Sequence, residues 1–110
     1  MTDKERDIEE YFVTQVRKAG GWPVKLTSPG NAGMPDRMVL WPGGAVDFVE
    51  LKRPGGKVRP LQLSALKRLQ ELGFAAFVIS DRGTVDIYTG KIPFWAAGNK
   101  EPGKDGLYDF

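Results

Sequence analysis

Two short apolar runs on either side of Pro42-Gly43-Gly44 constrain the fold of this chain more than any other feature. Residues 37–41 are apolar on both alternating faces after Arg37, and residues 45–52 form a second, largely apolar run. Such runs are typical of strands that are covered on both sides, and Pro-Gly-Gly is a turn sequence. The pattern therefore predicts an antiparallel hairpin inside a sheet.

Helical spacing predicts one helix on each side of this hairpin in the sequence. The first, over residues 3–19, places Ile8, Phe12 and Val16 on one face and stops at Gly20-Gly21. The second, over residues 60–72, has proline at its first position and Gly73 as its left-handed cap.

The remaining elements complete an α/β fold. We predict a turn at Trp22-Pro23, a short strand over 24–27, a loop over 28–35, a buried strand over 74–80 and a weaker strand over 84–88. The order helix, three strands, helix, strand (αβββαβ), with one more strand at the end, gives a mixed β-sheet flanked by helices.

The composition limits the chain to one compact domain without histidine chemistry. Its 110 residues allow a single core, and its 14 glycines and eight prolines are too many for a helical bundle. We expect residues 1–90 to form the domain and residues 91–110 an irregular tail, either docked or at a dimer contact. Because histidine and cysteine are both absent, catalysis would depend on carboxylates, lysine and hard cations.

No segment of the sequence predicts a membrane partner. The longest strongly apolar run, residues 74–79, is far too short to span a bilayer, and the chain does not open on a signal-peptide pattern. We therefore expect a soluble, cytoplasmic protein.

Three residues near the hairpin carry the strongest chemical signal. Glu50 and Lys52 point to the same face at the end of one strand, and Asp36 opens the neighbouring strand, where it can reach the same place. Two converging carboxylates suit Mg²⁺ or Mn²⁺. The alternative is that Glu50 and Lys52 form an ordinary surface ion pair.

Each predicted helix also turns one polar residue toward its apolar face. Glu9 lies within the arc of Ile8, Phe12 and Val16, and Gln62 lies within the stripe formed by Leu61, Ala65, Leu66, Leu69 and Leu72. An inward carboxylate or amide requires a partner, which a catalytic group or a metal-bound water would provide. The alternatives are that Glu9 only accompanies Glu5 near the helix dipole and that Gln62 reaches solvent.

Basic residues crowd the segment after the hairpin. From Glu50 to Arg68, with both ends counted, there are six basic residues and one acid, which indicates either a solvated basic face or a track for a phosphate backbone. The candidate phosphate contacts are Lys25, Ser28, Arg37, Arg53, Lys57, Arg59 and Lys67.

In the residues discussed above, the chain resembles the virus-type replication-repair nuclease (VRR-NUC) domain. This domain is a branch of the PD-(D/E)XK superfamily, which has a restriction-endonuclease-like core. The resemblance spans about residues 5–88. It is carried by Ile8-Glu9, Gly33-Met34-Pro35-Asp36-Arg37, the run from Phe48 to Gly56, Pro60-Leu61-Gln62, and Leu69 to Gly73.

The resemblance implies a nuclease that depends on Mg²⁺ or Mn²⁺. Asp36, Glu50 and the Leu51 carbonyl would be metal ligands, and Glu9 would hold a metal-bound water. Lys52 would orient the attacking water or neutralise phosphate charge, and Gln62 would assist.

Small stand-alone members of the family, of the phage and prophage type, further imply a homodimer that cleaves branched DNA such as four-way junctions in a bacterial or phage-infected cell. The expected activity is a structure-selective DNA endonuclease. A catalytically silent nucleic-acid-binding or assembly module and an RNA-directed nuclease are the alternatives, because no base-reading motif is present.

Overall fold

A four-stranded sheet forms the centre of the chain in this computed structural model, which describes residues 3–27 and 33–91. Its strands lie in the order β1-β2-β3-β4; β1 pairs with β2 and β2 with β3 in antiparallel fashion, whereas β3 and β4 are parallel. The predicted hairpin is confirmed as β2 and β3. The strand bounds are Trp22–Lys25, Arg37–Leu40, Val46–Leu51 and Ala75–Ile79.

Three helices cover the two faces of this sheet. They are α1 (Asp3–Lys18), α2 (Pro60–Glu71) and α3 (Arg82–Tyr88). α2 connects β3 to β4, which is the crossover that a parallel strand pair requires. The mixed α/β sheet flanked by helices is therefore confirmed.

The core consists of two clusters, one on each face of the sheet. Under α2, the buried cluster is Phe48, Leu66 and Ala76. Because side chains alternate along a strand, Glu50 shares the α2 face with Phe48. Under α1 and α3, the buried cluster is Ile8, Phe12, Val16, Val39, Val49, Leu51, Phe77, Ile79 and Val85.

Two predictions of local structure are wrong. The weak strand expected over 84–88 is the helix α3, because the Asp81 carboxylate caps it by accepting the Thr84 N–H at 2.7 Å. The turn expected at Trp22-Pro23 is instead the start of β1. Proline is tolerated there because β1 is an edge strand of the described sheet.

The apolar stripe predicted on α2 is only partly buried. Leu66 is fully buried, whereas Leu61 and Leu72, at the two ends of the stripe, are each 63% exposed. The buried polar residue predicted within the stripe, Gln62, is confirmed at 7% exposure.

Some predictions fall on residues beyond the described ranges. Ser28 is one of them, and so is the predicted C-terminal tail from residue 92 onward. None of the helices in the described part of the chain has the length and apolar composition needed to cross a bilayer.

Candidate active site

The acidic pair lies where the hairpin ladder between β2 and β3 ends. The last backbone pair is Arg37 with Val49. Beyond it, the N–H of Asp36 donates to Glu50 Oε1 at 3.2 Å, and the N–H of Leu51 donates to Asp36 Oδ2 at 2.9 Å. Each carboxylate thus replaces a backbone acceptor of the opposite strand, which brings the two acids together.

Glu50 is the buried member of this pair. It is 2% exposed, and its Oε2 atom lies 3.2 Å from Lys52 Nζ and 2.5 Å from Gln62 Nε2. Lys52 is also largely covered, with 15% of its side chain exposed. The alternative interpretations, a surface ion pair for Glu50 and Lys52 and a solvent-reaching amide for Gln62, are therefore wrong.

Burial leaves Glu50 with an unusual acidity. Desolvation is the largest cause, followed by the neighbouring charge of Asp36, and the pKa of its carboxyl is raised to about 7. The ammonium of Lys52 acts in the opposite direction and lowers the pKa. Two carboxylates that repel each other in a buried place can be stabilised by a proton or by a cation.

Gln62 is held in one orientation by the start of α2. Its Oε1 atom accepts the N–H of Arg59 at 3.0 Å, so its Nε2 atom is the one that faces Glu50. The amide therefore satisfies a free N–H at the helix start and donates to the acid at the same time. The wheel position of Gln62 predicted this inward direction, but it did not predict the contact with Arg59.

Gly33 brings the loop before Asp36 against this helix start. Its φ is +98°, and a Cβ atom at this position would lie 2.5 Å from the Leu61 carbonyl oxygen and 3.1 Å from the Gln62 nitrogen. Only glycine allows so close an approach. No role was predicted for Gly33 from the sequence. Its position two residues before Pro35-Asp36 nevertheless indicates that the loop passes close to another backbone.

Glu9 and Arg37 form a separate contact on the other face of the sheet. Arg37 shares that face with Val39, under α1, and its Nη2 atom lies 3.6 Å from Glu9 Oε1. The inward position predicted for Glu9 is confirmed, and it does not merely accompany Glu5. Its partner, however, is an arginine. In the described ranges, no three acidic side chains form one group that could hold a metal.

Arg37 differs from the other predicted phosphate contacts. Its side chain is 13% exposed, and its Nη1 atom donates to the Pro23 carbonyl at 3.0 Å. A guanidinium that is covered in this way by α1 and β1 cannot lie on a phosphate backbone. The prediction that Arg37 contacts nucleic acid is therefore at odds with its position.

The other predicted phosphate contacts within the described ranges lie on the surface. All of them are exposed, and none forms an ion pair with any acid in the described part of the chain. They follow β3 and continue along α2, with one residue on β1. The set comprises Lys25, Arg53, Lys57, Arg59 and Lys67.

The acid pair and the lysine beside it form the candidate active site, and comparison with known proteins shows the class of protein. A family model described as the VRR-NUC domain matches residues 16–81. A protein of Acyrthosiphon pisum secondary endosymbiont phage 1, named "Putative nuclease p44", is 44% identical over 84 residues, which are 76% of this chain and 90% of the phage protein.

A solved structure described as a VRR_NUC domain has the same fold. It superposes with a TM-score of 0.75 at 30% identity, covering 84% of this chain and all of that structure. The chain therefore belongs to the VRR-NUC family, and it is a nuclease.

Proposed function

We propose that the chain is an endonuclease that uses Mg²⁺ or Mn²⁺ to hydrolyse phosphodiester bonds of DNA, with branched DNA such as four-way junctions as its substrate. The observation that carries this proposal is the joining of Asp36 and Glu50 across the end of the hairpin, beside Lys52. The basic residues exposed after β3 support a nucleic-acid substrate, since such residues bind the phosphate backbone.

The donor set suits a hard divalent cation. Asp36 and Glu50 supply carboxylate oxygens, and their mutual repulsion, which raises the pKa of Glu50, is what a cation between them would relieve. In the proposal, these two carboxylates and the Leu51 carbonyl would hold the ion, and Glu9, whose carboxylate pairs with Arg37 in this structure, would act through a bound water. The cation supplies a more acidic water and stabilises negative charge on the phosphoryl oxygens.

The protein's own side chains supply the remaining functions. Lys52 keeps an ammonium within 3.2 Å of Glu50, where it can neutralise charge that develops on the scissile phosphate. Gln62 fixes the Glu50 carboxylate by donating to it, so that the acid is already oriented when substrate arrives. The exposed basic residues hold the strand without reading its bases.

The decisive experiment measures cleavage of duplex, flap, four-way-junction and single-stranded DNA, and of RNA, with Mg²⁺, Mn²⁺ or EDTA. The native chain is compared with Asp36→Asn and Lys52→Ala, and with Glu71→Gln, which removes one exposed acid from the far end of α2. We expect cleavage of branched DNA by the native chain and by Glu71→Gln only, and none in EDTA.

Each other outcome has a definite meaning. Cleavage by Asp36→Asn at the native rate would remove the metal site, and a preference for RNA would replace the DNA substrate. Binding without cleavage under every metal condition would make the chain a silent module. Isothermal titration with Mn²⁺ gives a reading that is independent of cleavage, because Asp36→Asn should lose the binding heat.

The proposal includes a homodimer, since a single domain of this size offers one site and a limited surface. Light scattering gives the mass of the native chain, and the same measurement on a chain ending at residue 91 tests whether the tail holds the dimer together. A native mass of one chain would remove the dimer from the proposal. An unchanged dimer in the shortened chain would show that the tail does not hold the dimer together.

A further inference from the structure

A pocket of about 340 Å³ lies at the start of α2, next to the acidic pair. The two share Gln62, which lines the pocket and also donates to Glu50. The pocket is therefore linked to the candidate active site through Gln62. The lining residues are Gly33, Arg59, Pro60, Leu61 and Gln62.

The walls of this pocket are unusual for a surface beside an acidic site. Gly33, Pro60 and Leu61 have no polar side-chain atoms, and the polar groups of Gln62 are already used by Arg59 and Glu50. Leu61 is 63% exposed. A single exposed leucine is common, but this one lines a pocket together with Gln62, the residue that donates to Glu50.

The charge around the pocket favours an anionic polymer. Arg59 is exposed at the wall and forms no ion pair in the part of the chain that the structure describes. The first turn of α2 contains no acid of its own, so the partial positive charge of the helix start adds to that of Arg59. An apolar hollow with a cationic wall suits a flat ring that is attached to a phosphate chain.

We infer that this pocket receives one unstacked base of the nucleic-acid strand whose phosphate lies at Asp36 and Glu50; the inference rests on the proposed function. Leu61 packs against the base, and the guanidinium of Arg59 stacks on it or meets the adjoining phosphate. Pockets of a few hundred Å³ suit ligands of this kind. Since moving a paired base out of a duplex costs free energy, the pocket favours strands whose bases are mismatched or already single-stranded.

The first test detects the base directly and does not need cleavage. A four-way junction carries 2-aminopurine at successive positions around the expected cut, and it is bound by Asp36→Asn protein. A severalfold rise in fluorescence at one position shows that this base has left the stack. The same rise should be absent when Leu61→Ala is added. It should persist with Leu72→Ala, which removes an equally exposed leucine from the other end of α2.

The second test pairs a protein change with a substrate change. Leu61→Ala should slow cleavage about tenfold, since a stacked base contributes on that scale, whereas Leu72→Ala should leave it unchanged. Removing the base at the position identified above should slow the native chain by a similar factor and should have no further effect on Leu61→Ala. Melting temperatures of both variants show whether they are folded.

The outcomes separate this inference from the nuclease proposal. Fast cleavage that is insensitive to Leu61→Ala, with no fluorescence rise at any position, would overturn the pocket and leave the nuclease intact. A rise that depends on Leu61, in a native chain that cleaves nothing, would support the pocket and remove the catalytic proposal.

Discussion

Gln62 and Glu50 are joined inside the domain, where Nε2 of the amide lies 2.5 Å from Oε2 of the acid. The same amide accepts the Arg59 N–H at 3.0 Å. One side chain therefore satisfies a backbone N–H at the start of α2 and orients the Glu50 carboxylate on β3. An amide carries a donor on one side and an acceptor on the other, so it can make both contacts at once. This relationship explains why an uncharged polar residue occupies a buried position in the first turn of the helix.

Replacing Gln62 tests that double contact. Gln62→Ala leaves the Arg59 N–H without its acceptor and removes the amide donor from Glu50 Oε2, and we expect the free energy of unfolding to fall by about 1–3 kcal/mol. Cleavage should slow about tenfold, because the acid is no longer held. Urea denaturation and initial cleavage rates, at a temperature where the variant stays folded, measure the two effects.

The matched control is Gln70→Ala, near the other end of the same helix. Its Nε2 atom donates to the Ala76 carbonyl at 2.7 Å, so this variant should lose stability in the same range and keep its cleavage rate. Equal loss of cleavage in the two variants would show that the effect of Gln62 comes from stability alone.

The acidity of Glu50 predicts how stability depends on pH without metal. Folding raises the pKa of its carboxyl from 4.5 to about 7, so the folded state binds the proton more tightly than the unfolded state. The resulting stabilisation is complete below pH 4.5 and is lost as pH rises through about 7. The full change is up to about 3 kcal/mol.

Urea denaturation in EDTA at pH 5 and pH 8 tests this prediction. Glu50→Gln stays uncharged at both values, so its free energy of unfolding should fall less over the interval than that of the native chain. Identical pH dependence in the two proteins would contradict the raised pKa. Added Mn²⁺ should recover stability at pH 8 in the native chain only, since a cation favours the ionised acid.

The strand-borne half of the site was predictable, whereas most of its surroundings were not. Alternation along a strand is strict, so Glu50 and Lys52 had to share a face, and the short turn placed Asp36 beside them. A helical wheel gives only the direction of a residue. It therefore showed that Glu9 faces inward but not that Arg37, from the opposing strand, would meet it.

The helix α3 could not be predicted from the local sequence pattern either. Thr84, Val85 and Ile87 are β-branched and favour a strand locally. The Asp81 cap and the packing of Tyr88 between Phe12 and Phe77, with ring centroids 6.0 and 5.0 Å away, decide for the helix. Tertiary contacts of this kind are not visible in a local pattern.

Gly33 offers a test of how the loop before Asp36 is positioned. Gly33→Ala would force a Cβ atom to within 2.5 Å of the Leu61 carbonyl at a φ of +98°. Gly43 has a similar φ of +91°, but a Cβ atom there would meet nothing within 4 Å. The two variants therefore share the backbone strain and differ in the collision.

We expect Gly43→Ala to cost about 1 kcal/mol of stability and to leave cleavage unchanged. Gly33→Ala should cost more and should also reduce cleavage, because the loop must move away from α2 and take Asp36 with it. Thermal denaturation and cleavage assays measure the difference. Equal effects of the two substitutions would show that the close approach to Leu61 does not matter for the site.

Arg37 has a structural role, unlike the arginines on the proposed nucleic-acid surface. It donates to the Pro23 carbonyl at 3.0 Å and lies 3.6 Å from Glu9 Oε1, so it links β2 to β1 and to α1. Its Nε atom is buried, with no hydrogen-bond partner in the described ranges. Arg37→Met keeps the length of the side chain and leaves the Glu9 carboxylate without its cation, which should lower stability by about 2 kcal/mol.

The salt dependence of DNA binding should change when Lys57 is replaced but not when Arg37 is replaced. Lys57 is exposed, so Lys57→Ala should weaken binding and reduce the slope of log affinity against log salt by about one, with no loss of stability. Arg37→Met should leave that slope at the native value, because its guanidinium does not reach a phosphate. Fluorescence anisotropy at several salt concentrations measures both slopes, and an equal reduction in the two variants would place Arg37 on the DNA after all.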